Sequence, residues 1–319
     1  MSGGVNQASG VTVASPETLG GEPPKRGGRA LAKRQRGVAY GLLAPGTVFL
    51  FLAFLVPLAL IVYTSLQSGG LLSGGFSFTW EFANYSSALS DYGPFYWKSL
   101  GISATATIFC ILAAYPMAYW IAFYAGRWKS TLFFLILVPF FVSFVIRTVQ
   151  WKFILGDDGL IFGPLKDLGL LPESFKILQT RIAVIWGIAY NFLPFTFLPL
   201  YVALERIDKR LVEAAKDLYA TRFQAFRKVV LPMSMPGVFA AVILTFVPAT
   251  GDYVNAAVLG GPGDQMVGNI IQSKFLTEAN YPQAAALSVI LMLGMLVLAL
   301  IYARLLGTED ETLAAGVAT

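Results

Sequence analysis

Six long apolar stretches mark the chain, at residues 38–66, 100–124, 132–151, 182–204, 238–259 and 284–306. Each reaches or exceeds the roughly 20 residues an α-helix needs to cross about 30 Å of hydrocarbon. Pro45, Pro57, Pro116, Pro139, Pro194 and Pro248 fall inside them. Such prolines break soluble helices, but in a membrane bundle neighbouring helices re-satisfy the freed carbonyls. The pattern therefore predicts an all-α polytopic membrane protein with six transmembrane helices. Only Ala125-Gly126-Arg127-Trp128-Lys129 separates the second span from the third, which predicts an antiparallel helical hairpin.

The segment 205–236, between the fourth and fifth spans, has a different pattern. At about 30 residues it far exceeds what a helical connection needs. It reads as two short amphipathic helices. Asp208 is the N-cap of the first, with Leu211, Ala214, Ala215 and Leu218 on one face. Thr221-Arg222-Phe223-Gln224 opens the second as a capping box, and Pro232 is expected to stop it. Two uses fit such an element: lying on lipid headgroups, or plugging into a partner protein.

Charge sets orientation. Arg26, Arg29, Lys33, Arg34 and Arg36 precede the first span, within a tail at 1–36 that has no apolar core and reads as disordered. With both termini cytoplasmic, most of the 23 Lys and Arg fall on the inner side, as the positive-inside rule expects. The layout is then a tail at 1–36, a first span at 37–66, a five-span core at 95–306 carrying the inner loop, and a cytoplasmic tail at 307–319. At 56% hydrophobic, 13% charged and a mean hydropathy of +0.66, the chain is too apolar for a soluble fold. Its net charge of +5 is accounted for by topology and does not indicate nucleic acid. The lipid bilayer is its solvent, in a cytoplasmic membrane crossed several times.

There is no histidine and one cysteine, Cys110. Ser-His-Asp hydrolysis, His-ligated zinc, cysteine clusters and intramolecular disulfides are thereby excluded. No phosphate-binding G-x-x-x-x-G-K-[ST] run occurs, and Gly260-Gly261-Pro262-Gly263 reads as an outer turn. The chain is expected to perform no bond chemistry and to hold no cofactor.

The chemistry of transport falls on a few polar and aromatic side chains inside the spans. Arg147 is either a snorkelling arginine paired with Asp157 or Asp158, or an outer gate contact. Asn191, near Trp186 and Tyr190, is either interhelical glue or pore lining. Trp97, Trp128 and Trp151 read as an interfacial belt. Asp252 lies about 22 Å along the fifth span at helical rise, too deep for an unpaired charge. It either lines a path for cations, with Asn255 rather than Tyr253 on its face, or forms an ion pair with another helix.

Glu213-Ala214-Ala215, with Pro232 further on, resembles the EAA loop of type I ABC importer permeases. Leu193-Pro194, Leu198-Pro199-Leu200-Tyr201 and Leu204-Glu205 resemble the run entering that loop in spermidine/putrescine permeases. So do Ile146-Arg147-Thr148, Trp151 and Ile154 through Leu160, and further on Pro248-Ala249, Gly251 through Val254, and Leu259-Gly260-Gly261. The likeness covers roughly 96–304. It implies a permease subunit that forms the path for a polyamine, with permeases for an anion, iron or amino acids as the alternative within the class. It also implies two ATPase subunits that bind the ATP, a second related permease and an extracytoplasmic solute-binding protein. Carried over residue by residue, Glu213, Ala214, Ala215, Asp217, Leu218, Tyr219, Leu231 and Pro232 would couple to the ATPase. Tyr219 departs from the family's usual Gly. Either the turn there takes another geometry, or a contact with the ATPase offsets the strain of a left-handed residue. A secondary transporter is the rival class, but no internal repeat stands out.

Overall fold

A computed structural model describes residues 27–70 and 74–316, with side chains over 43–70 and 74–304. Among the described residues five helices are long and apolar enough to cross a membrane, and a sixth span exists if a bent pair is counted as one. The chain divides after Leu58 into two units. The first holds most of helix α1 (Gly27–Ser65). Most of its described apolar side chains, such as Phe49 and Phe54, are exposed, as suits a helix solvated by lipid. Residues 1–26 of the expected tail lie outside the described residues. Residues 27–36, expected to be disordered, are already helical and continue into the span.

The second unit is a bundle. Its centre is three helices, α2 (Ala83–Tyr124), α6 (Arg181–Glu205) and α9 (Leu231–Thr250), packed mutually, with α12 (Tyr281–Gly316) against α2 and α9. Small residues let α2 approach its neighbours closely. Ala106, Cys110, Ala114, Ala118 and Ala122 recur every fourth position, and all are buried. Phe197, Leu200 and Leu204 of α6 fill the lower core against them. Gly237 sits where α9 crosses α6; a Cβ there would run into Ala203 and the carbonyl of Pro199.

Three expectations about the helices are corrected. The third span is not one helix. α3 (Lys129–Leu137) runs through a 3₁₀ turn at Val138–Phe141 and breaks at Val142 and Ser143, both extended, before α4 (Phe144–Ile154), 91° away. Pro139 removes a donor at the point of failure. The fifth span also breaks. α9 ends at Thr250, where Gly251 and Asp252 donate to carbonyls only three residues back, and α10 (Val254–Leu259) restarts beyond them. Nor does Pro232 stop the second loop helix. α8 (Arg222–Ala225) passes through a π-helical turn, Phe226–Val230, straight into α9. The bond from Leu231 N–H to Phe226 O, five residues back, re-spaces the ladder so that the proline fits. The fold is all-α as expected, with one short ribbon among the described residues. β1 (Gln67–Gly70) and β2 (Gly75–Phe78) form an antiparallel ribbon, with Gln67 opposite Phe78.

The remaining helices are short: α5 (Phe162–Asp167), α7 (Lys209–Asp217) and α11 (Val267–Gln272). Helix α12 extends through most of the expected C-terminal tail, to Gly316.

Candidate functional site

Two regions carry the candidate residues. The first is the loop between α6 and α9. Asp208 caps α7, accepting from the Arg210 N–H at 2.9 Å. Thr221 and Gln224 form the expected capping box, at 3.2 and 2.9 Å. Between the helices Ala220 N–H donates to Ala215 O and Tyr219 N–H to Lys216 O. This is a Schellman turn with Tyr219 in its left-handed position, at φ 60°. Of the two expectations for Tyr219, the alternative geometry is therefore excluded: tyrosine occupies the position that ordinarily selects glycine. Its side chain is 97% exposed, so no contact with the described residues offsets the strain.

The loop is held firmly from below. Val212 and Phe226 pack on the core of α2 and α6, and Phe226 meets Tyr115 and Tyr119 edge-on. Lys129 pairs with Glu205 at 2.7 Å, and Lys209 reaches the Phe123 carbonyl. Packing also divides the expected apolar face of α7. Val212 and Ala215 are half-buried, whereas Leu211, Glu213, Ala214, Asp217 and Leu218 are exposed. Leu231 and Pro232 stand at the start of α9 and belong to the bundle.

The second region surrounds the two helix breaks. Asp252, 7% exposed, accepts from both the backbone N–H and the side-chain amide of Asn255. It thereby caps α10. The Asn255 Oδ1 accepts from Asn191 Nδ2 at 3.1 Å and from Thr148 Oγ1 at 3.2 Å, and Asn191 Nδ2 also donates to Thr148 Oγ1 at 2.8 Å. One hydrogen-bonded cluster thus ties α4, α6 and α10 across both breaks. Gly187 leaves room for it, because a Cβ there would press on Asn255 and Leu259. Among the described residues no cation pairs with Asp252, so the second of its two readings, an ion pair with another helix, is not found, while the pairing with Asn255 is. Tyr253 lies off this cluster, 44% exposed, with its carbonyl accepting from Asn269.

Arg147 does not reach the outer carboxylates. Asp157 instead pairs with Lys166 at 3.2 Å and Lys176 at 3.5 Å, and the hydrogen bond from Lys166 holds its carboxyl below the usual range. The Arg147 guanidinium lies 4.5 Å from the centre of the Phe140 ring and 6.0 Å from that of Tyr190. Trp151, expected in the interfacial belt, is packed edge-on between Trp186 and Tyr190, whereas Trp97 and Trp128 are exposed. Arg147 Nε and Nη1, Asn191 Oδ1 and Ser103 Oγ are buried without a partner among the described residues. Phe140 and Gly187 are members of this region that the sequence did not single out, and Thr148 stood out only within the Ile146-Arg147-Thr148 resemblance; the hydroxyl next to a deep arginine was the available signal for its role.

Comparison with known proteins agrees with the architecture. Residues 101–306 match the family described as binding-protein-dependent transport system inner membrane component. The chain is 39% identical to a spermidine/putrescine transport system permease protein PotB of Haemophilus influenzae, over 81% of this chain and 91% of that one. It is 34% identical to the protein of the same name from Escherichia coli K12, over 72% and 84%. A bacterial ABC transporter involved in the import of the acidic polysaccharide alginate superposes with a TM-score of 0.65 at 18% identity, covering 87% of this chain and 98% of that one. At that identity the match speaks for fold alone. With most of the chain covered by the family and by relatives above 30% identity, the protein belongs to the binding-protein-dependent transport system inner membrane components and is a multi-pass transport subunit of the cytoplasmic membrane, not an enzyme.

Proposed function

We propose that the chain is the permease of an ATP-driven importer of polyamine cations such as spermidine and putrescine. The observation that carries this reading is the 39% identity spanning 91% of a spermidine/putrescine permease. The assembly we propose has a second related permease, two ATPase subunits that bind ATP, and an extracytoplasmic solute-binding protein. A binding-protein partner is named for one structural neighbour, the alginate transporter complexed with its periplasmic protein. In this reading the exposed α7 surface, with Glu213, Ala214, Asp217, Leu218 and Tyr219, docks on an ATPase. Its firm seat on α2 and α6 would pass the motion on to the bundle. Arg147, Trp186, Tyr190 and Tyr253, partly exposed, face the solute path. Asp252, Asn255 and Asn191, at 7%, 0% and 1% exposure, brace the wall of that path from behind.

Reconstituted complex should take up labelled spermidine and putrescine, with unlabelled polyamine competing and alginate, iron or amino acids not. Uptake of one of the latter alone would move the protein to another import branch.

The orientation proposed puts both termini and the α7 loop in the cytoplasm. Cys110 is buried, so the native background should be silent to thiol reagents. Single cysteines at Ser90, Gly169 and Thr277 should react with an impermeant reagent from outside; those at Ser15, Gln224 and Thr312 should not. Outside labelling of Gln224 would reverse the orientation and remove the loop from any ATPase.

A further inference from the structure

Ring faces hold the Arg147 guanidinium where anions would be expected. Phe140 lies beneath it, Tyr190 beside it, and neither Nε nor Nη1 meets an acceptor among the described residues. The rings continue as a row. Phe140 is 5.8 Å from Tyr190, Trp151 stands edge-on to Tyr190 and Trp186, and Phe109 is 5.7 Å from Trp186. The far end of the row is open, with Trp186 39% and Phe109 45% exposed. The near end is anchored: Thr148 follows Arg147, Asn191 follows Tyr190, and both belong to the hydrogen-bonded cluster around Asn255.

We propose that this aromatic row is a binding site for alkylammonium cations, occupied in this conformation by the chain's own Arg147, which an incoming ammonium group displaces. The proposal rests on the reading of the solute as a cation. Aromatic faces attract cations through their quadrupole, a guanidinium and an ammonium alike. Arg147 is nevertheless an imperfect occupant, because two of its donors stay unsatisfied while it sits there. Displaced, it recovers those hydrogen bonds with water or an acceptor. An arriving ammonium replaces its charge over Phe140 and Tyr190, and the attached methylene chain lies along Trp186 and Phe109. The exchange is close to balanced, as a transit site requires. It also gives an arginine a use in a path for cations: held over the rings, it keeps the site filled until solute arrives.

The test is equilibrium binding of labelled putrescine and of tetramethylammonium to the whole importer complex in nanodiscs, without ATP. Arg147→Gln removes the resident charge and should bind both probes about tenfold more tightly than wild type, within the range of a desolvated cation–π contact. Arg147→Lys restores a tethered cation and should resemble wild type. Adding Phe140→Leu and Tyr190→Leu to Arg147→Gln should abolish the gain, and neutral 1,4-butanediol should not compete. Unchanged or weaker binding in Arg147→Gln, or no binding in either protein, overturns the proposal. So does a gain that survives loss of the rings. A fall in thermal stability at unchanged affinity would mark Arg147 as purely structural. Uptake by wild type keeps the two readings apart. Tighter tetramethylammonium binding by Arg147→Gln without polyamine transport sinks the polyamine reading and leaves the site, whereas intact polyamine uptake with no change in affinity sinks the site alone.

Discussion

In the Ala214→Trp variant, solute uptake by the reconstituted complex is expected to fall at least about tenfold, with the ATPase lost during purification and the permease inserted normally. Overfilling a packed contact costs about 1–3 kcal/mol, and 1.4 kcal/mol is tenfold in affinity. Ala214 is the right place because α7 presents it outward, beside Leu218 and Tyr219. Ala215, which the amphipathic pattern puts on the same face, is half-buried. A bulky residue there would disturb the seat of α7 on the bundle as well as any partner, and its effect would be ambiguous. The internal supports of α7, namely Val212, the Asp208 cap and the Schellman turn, do not involve the Ala214 side chain. Normal recovery of the ATPase with Ala214→Trp, together with normal uptake, would mean that this surface docks on nothing.

Asp252→Asn is expected to lower the stability of the bundle by about 1–3 kcal/mol, the cost of leaving one buried donor without an acceptor. Asp252 accepts two donors from Asn255, one from the backbone and one from the side chain. An asparagine keeps the size but offers one oxygen in place of two, so whichever way it turns, a donor faces a donor. The disturbance passes to Thr148 and Asn191 through the Asn255 side chain. Melting of the purified complex should therefore shift down, while uptake per folded complex is largely kept. The opposite result, a collapse of uptake at unchanged melting temperature, would show that the carboxylate itself meets the solute and that the bracing role assigned to it is wrong.

Much of the molecule is legible in its sequence, because several of its determinants are local. A run of about 20 apolar residues must satisfy its own backbone in lipid, so length and hydropathy alone locate the spans. The caps at Asp208 and Thr221 depend on residues two and three positions away, and both form as read. The close packing of α2 was also written in the fourfold spacing from Ala106 to Ala122, although its meaning emerges only when α6 lies against it. The resemblance around Glu213-Ala214-Ala215 gave the family.

Tertiary structure decided what depends on partners distant in the chain. Apolarity is the same in a straight span and in one bent by 91°, so hydropathy could not separate α3 from α4 or end α9 before Asp252. A helical wheel groups Ala214 with Ala215, but which of them turns inward depends on where the α2–α6 core lies beneath α7. Charge alone suggested outer carboxylates for Arg147 and another helix's cation for Asp252. The fold instead gives Asp157 to two lysines and Arg147 to the Phe140 and Tyr190 rings, because which side chains meet is set by how separate segments pack, while Asp252 pairs locally with Asn255, the face-mate already legible three residues on.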